Sequence, residues 1–160
     1  MNADLVNITG MFKANDDVVS KAIADIPDED WFRAPGDDSN HLMWIMGHTI
    51  WSRSNVLRSL RDEVAIPWAS KFARGVARSD HGQYPTIEEI KKTWREISDR
   101  LTRSLNEARV DVLDQASPEG RPSFDGKVSG LVAFLAFHET YHVGQISYLR
   151  KWLGYGQSVG

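Results

Sequence analysis

His138 and His142 stand four residues apart in His138-Glu139-Thr140-Tyr141-His142, within a segment whose apolar residues recur at helical spacing. On an α-helix, residues i and i+4 lie one above the other, so both imidazoles face one spot and can share a metal ion. Such a pair needs a further protein ligand, because catalytic zinc-type sites use three and keep one position open for water or substrate. The remaining histidines are His41, His48 and His81. His48 is the best placed of them: it falls mid-helix on an inward face, and Gly47 before it would let another helix approach closely. The expected ligand set is therefore His48, His138 and His142. His41 lies two turns from His48, about 10 Å along the axis, too far to share the ion but near enough to line a pocket mouth. His81 falls in a connection and is expected at the surface.

The plain alternative is that these are core histidines. A single inward histidine is most often that. A pair in the middle of an apolar stripe, with a third inward histidine on another helix, fits it poorly, because unpaired imidazoles buried together are costly.

Glu139 makes the stretch a literal H-E-x-x-H, in which two histidines hold zinc and the glutamate takes a proton from the bound water. A zincin-type protease would need a third ligand downstream, and Val143 to Gly160 contain no His, Asp or Glu. The extended form also fails, since Gln145 and Tyr148 stand where glycine and histidine belong. Glu139 keeps two readings: a base or partner beside the metal ligands, or a solvated side chain.

Four amphipathic segments must position these residues. The first runs from Asp4 to about Ala24, with Leu5, Ile8, Phe12, Val19 and Ala22 on one stripe that Asn15 interrupts, and ends before Pro27. The second starts near Ser39 or Asn40, both good N-caps, and runs to about Leu60. On its inner face His41, Trp44, Ile45, His48, Trp51 and Asn55 fall within about 60° of one line. Arg61 to Pro85 shows no sustained period and reads as a long connection anchored by Trp68 and Phe72. Thr86-Ile87-Glu88-Glu89 is a capping box that opens the third helix, with Ile87, Ile90, Trp94, Ile97, Leu101 and Leu105 inward. After a connection from about Val110 to Lys127, the fourth runs from near Ser129 to Leu153 and stops at Gly154. Its inward stripe is Leu131, Phe134, Leu135, His138, His142, Gln145, Leu149 and Trp152. With no strand signal and no repeat, these segments predict an all-α four-helix bundle, a fold that builds metal sites from facing helices.

At 160 residues the chain fits one domain, 1–160. Its net charge of -3 and lack of a dense Lys/Arg block argue against nucleic acid. It has no apolar run of about 18 residues and no basic, apolar leader at its start, so no membrane span is expected and a cytoplasmic location is. With no cysteine, disulfides and thiolate ligands are excluded, and thiol chemistry would need a thiol from outside.

Gly47-His48 in a second helix, a long connection, and His138-x-x-x-His142-x-Gly144-Gln145-Ile146 in a last helix ending at Leu153-Gly154 resemble the DinB/YfiT-like superfamily. The resemblance spans almost the whole chain. It implies an up-down-down-up bundle, one divalent metal ion held by three histidines, here His48, His138 and His142, and frequently a homodimer. Family members of known activity are mostly thiol-dependent transferases, with a maleylpyruvate isomerase that uses mycothiol; others are called hydrolases. The expectation is a metal-dependent transferase or hydrolase, acting on a small-molecule substrate by activating a low-molecular-weight thiol or a water. The alternative is a non-catalytic metal- or ligand-binding bundle. Three neutral nitrogen ligands suit zinc, nickel, iron or copper, and availability usually decides among them. Gln145 is expected to bind substrate or orient an imidazole, and Trp44, Trp51 and His41 to wall the pocket.

Overall fold

The computed structural model describes residues 5–157. Helix α1 (Val6–Ile23) buries Thr9, Phe12, Asn15, Val19, Ala22 and Ile23, a stripe at three- and four-residue steps. Its expected start at Asp4 lies outside the described residues. Helix α2 (Leu42–Ser59) begins later than the sequence suggests, because His41 is its cap: the ring Nδ1 accepts the Trp44 backbone N–H at 3.1 Å. Ser39 and Asn40 do not cap it. Helix α3 (Ile87–Asn106) has the expected cap, Thr86 Oγ1 accepting the Glu89 N–H at 3.1 Å.

The connection after α3 holds one helical turn, α4 (Val110–Leu113), which buries Val112 and Leu113 where the sequence reading has irregular chain. Helix α5 (Val128–Trp152) ends as Gly154 turns to φ 94°, with the Tyr155 N–H reaching the Arg150 carbonyl and the Gly154 N–H that of Lys151, both at 3.1 Å. This is a Schellman stop, which a glycine permits without steric strain.

Helix α5 packs between α1 and α2, α2 packs also on α3, and α3 returns to α1. Their directions follow from the side-chain pairs. Asn15 meets Glu139 and Ala22 meets Arg150, so α1 and α5 run parallel. Arg53 meets Ser98, and Asp62, just past α2, meets Arg100 and Ser104, so α2 and α3 also run parallel. His48 faces His138 and His142, whereas the α2 end, near Asn55 and Arg58, shares a pocket with Val128 and Leu131, so α2 and α5 are antiparallel. The result is the up-down-down-up bundle. The described residues contain no strand beyond an isolated bridge between Ala116 and Lys127. No helix among them is long and apolar enough to cross a membrane.

The long connection between α2 and α3 is packed down at one point. A 3₁₀ turn, Ala69–Phe72, buries the Phe72 ring completely against α2, while Trp68 is half-buried and donates from Nε1 to Glu89 at 2.9 Å. A Cβ on Gly47 would lie 2.4 Å from the Phe72 ring. The glycine therefore admits this loop phenylalanine, not the neighbouring helix that the sequence suggested.

Candidate metal centre

Helix α2 brings His48, and α5 brings His138 and His142, to one point of their seam. The His138 Nε2 lies 3.2 Å from the His142 Nε2 and 3.5 Å from the His48 Nε2, and the candidate ligand atoms of all three lie within 4.8 Å of one another. Nitrogen ligands about 2.0–2.1 Å from a tetrahedral zinc stand roughly 3.3 Å apart, so the spacing suits one ion. His48 and His142 are buried, while His138 is half-buried and is the least buried of the three.

Neighbouring groups set which nitrogen of each ring is free. The His48 Nδ1 lies 2.7 Å from the Phe72 carbonyl oxygen. A carbonyl only accepts, so Nδ1 carries the proton and Nε2 presents a lone pair. The His142 Nδ1 lies 2.7 Å from the Gln145 Oε1, while the Gln145 amide donates to the Tyr141 hydroxyl at 3.2 Å. The same logic turns the His142 Nε2 lone pair inward. The His138 Nδ1 has no hydrogen-bond partner. His138 could donate from Nε2 to one neighbour at most, which leaves at least one buried lone pair facing another nitrogen. A single cation at their centre satisfies all three.

Charge on these rings is disfavoured. Burial, offset in part by the Phe72 carbonyl, pulls His48 from 6.5 down to about 4. Burial does the same to His142, against the pull of Gln145, again to about 4. His138 is lowered by burial and then by the neighbouring His48 and Arg74 charges. Neutral imidazole is the form that binds a metal. The donor set, the tautomers and the protonation all fit a divalent ion.

Trp44 and Trp51 flank the His48 ring, stacked at 4.8 Å and 5.3 Å between centroids. They wall one ligand from both sides. Gln145 acts on His142, the orienting role among those expected of it. His41 is placed elsewhere: its Nδ1 caps α2 and its ring packs with Phe32, Tyr84 and His81. His81 is exposed and stacks on Phe32 at 4.1 Å, as expected of a residue outside the metal group.

Glu139 requires a correction. It is neither a base at the metal nor a solvated side chain; it is 1% exposed and turns about 60–100° around α5 from the two histidines, toward Arg53 and Asn15. Arg53 donates to it from Nε at 2.7 Å and from Nη2 at 2.9 Å, and Asn15 donates to Oε1 at 3.2 Å. Arg53 also reaches Ser98, lies 3.6 Å from Asp16 and sits 3.8 Å above the Trp94 ring. This closed network ties all four long helices together. Its sequence signal was the position of Glu139 among Ala136, Val143 and Ile146, the apolar side of α5, where a carboxylate needs a buried cation.

The Phe72 carbonyl is the functional group that sequence reasoning missed. Gly47 beside His48 was its trace, since a helix-interior glycine marks close approach by something.

No curated protein matches the chain. The family model of the DinB superfamily matches residues 11–146, a span that holds the three histidines, the Gly47 approach and the Arg53–Glu139 network. With that match over most of its length, the chain belongs to the DinB superfamily.

Proposed function

We propose that this protein is a metal-dependent enzyme that activates a low-molecular-weight thiol or a water for transfer to, or hydrolysis of, a small-molecule substrate. The observation that carries this reading is the convergence of three neutral imidazoles whose lone pairs have no other partner. A divalent ion bound there supplies Lewis acidity, which lowers the pKa of a thiol or water at neutral pH. Phe72 and Gln145 hold two rings in the ligating tautomer, and Trp44 and Trp51 keep His48 from turning. His138, the least buried of the three, marks the side from which substrate would arrive. Because the chain has no cysteine, a thiol nucleophile would come as a co-substrate.

A protease of the zincin type is not part of this proposal, since Arg53 and Asn15 occupy the carboxylate that would serve as its base. The rival from another class is a bundle whose metal is structural. A cytoplasmic homodimer completes the reading. The dimer is supported by an aromatic cluster at the surface, the exposed Phe124 and Phe137 with the half-buried Phe134, at 5.6–6.4 Å between centroids, since exposed apolar patches mark contact surfaces.

The test is elemental mass spectrometry on protein purified without an affinity tag, wild type beside His48→Ala. About one divalent ion per chain, lost in the variant, is expected. Wild type that stays metal-free after reconstitution would overturn the proposal. Screening thiols against electrophiles with the loaded protein then separates enzyme from structural bundle.

A further inference from the structure

A second polar site lies near the far end of the α2–α5 seam. Seven residues separate His48 from Asn55, about 10 Å of helix. There a pocket of about 260 Å³ has an apolar floor of Val128, Leu131 and Leu135. Arg58, Arg61 and Arg121 line it, and no carboxylate does.

The guanidinium groups are only partly compensated. Asn55 is 5% exposed and donates its amide to the Trp51 carbonyl, which turns its Oδ1 toward Arg121 at 3.4 Å and Arg58 at 3.5 Å. Two cations thus share one neutral oxygen. Arg58 has Glu63 at 3.1 Å from Nε. Arg61 meets the neutral Gln115 Oε1 at 2.8 Å. Arg61 and Arg121 have neutral acceptors only, and Arg58 is offset by Glu63, so the three leave a net positive field over an apolar floor; the guanidinium fork matches carboxylate and phosphate oxygens.

The backbone at Arg61 is an independent observation. Its φ is +67°, and it stands just past the end of α2, where its N–H reaches the Arg58 carbonyl and the Asp62 N–H that of Leu57. That is the position of a helix stop where glycine is the unstrained residue. An arginine held there in the left-handed region is a strained residue of the kind found at functional sites.

We infer that this pocket binds the anionic group, carboxylate or phosphate, of a small organic molecule whose apolar part rests on Leu131 and Leu135. The site is separate from the three histidines and does not depend on them.

Isothermal titration with benzoate and with inorganic phosphate, at constant ionic strength, tests it on wild type, Arg61→Gly, Arg121→Gln and His48→Ala. Wild type should bind one equivalent saturably. Both arginine variants should weaken binding by about tenfold or more, and His48→Ala should leave it unchanged. Arg61→Gly should also melt at the same or a higher temperature than wild type, because glycine relieves the strain, so its lost binding is not unfolding. Tighter binding of benzoate assigns an organic carboxylate; tighter binding of phosphate assigns a phosphoryl group. No saturable binding, equal binding in the arginine variants, or loss confined to His48→Ala would overturn the inference. The last outcome would place the anion at the metal centre and leave the metal reading intact.

Discussion

Two buried polar clusters share one turn of α5, about 60–100° apart around its axis. His138 and His142 face α2, and Glu139, next in sequence to His138, faces α1 and the Arg53 guanidinium. The Glu139 cluster is closed: both carboxylate oxygens are held by Arg53, and Asn15 adds a third donor. The histidine cluster is open, with lone pairs aimed at each other and the His138 Nδ1 without a partner. A closed network holds helices in register, and an open one awaits a ligand. Adjacency in a motif therefore says little about shared chemistry, because 100° of helical rotation sends neighbours to different neighbourhoods.

The contrast can be broken at several points. Glu139→Ala should have the largest effect on the fold, about 3–5 kcal/mol by urea denaturation, because it leaves Arg53 buried without its partner. The folded fraction should still hold its metal; parallel loss of metal at full stability would mean that Glu139 serves the site after all. Gln145→Ala should act on the other cluster alone, weakening metal affinity about 10–100-fold as the His142 tautomer is freed. Competition with a chelator measures this, and an unchanged affinity would remove Gln145 from the site.

Acidification should act on the buried histidines. His41, His48 and His142 sit near 4 in the folded chain, lowered chiefly by burial, against 6.5 when free. Between those values the unfolded chain binds more protons, so stability of the metal-free protein should fall as pH drops from about 6.5 to about 4. Thermal melts of the metal-free protein across that range check it, and a flat profile would contradict the assigned burial. His81→Ala should change least, within about 0.5 kcal/mol and with full metal content. Metal lost from that variant would place His81 among the ligands.

Much of this was legible beforehand. The stripe Ile90, Trp94, Ile97, Leu101, Leu105 and the Thr86–Glu89 cap announced α3, and Gly154 announced the end of α5. The i, i+4 pair His138 and His142 announced one face of the histidine group, since periodicity and capping are local and one helix turn is enough to express them. Less local features were misread. His41 looked like a pocket residue and is a cap, because its ring can accept its own helix's N–H. Glu139 read as a partner of the metal ligands or as a solvated side chain and is neither, because its cation, Arg53, is 86 positions away.

By itself, then, the chain determined its four long helices and the pairing of His138 with His142 on one face, because each depends on spacing within a few turns; the expected inward stripes of α2 and α5 were too narrow, leaving out Met46, Ile50, Val143 and Ile146 and including the exposed Trp152. Only the tertiary structure decided which loop carbonyl turns His48, which cation closes on Glu139, and how Arg58, Arg61 and Arg121 come to surround one pocket. Those partners lie on separate elements, and nothing short of packing the bundle sets the distances between them.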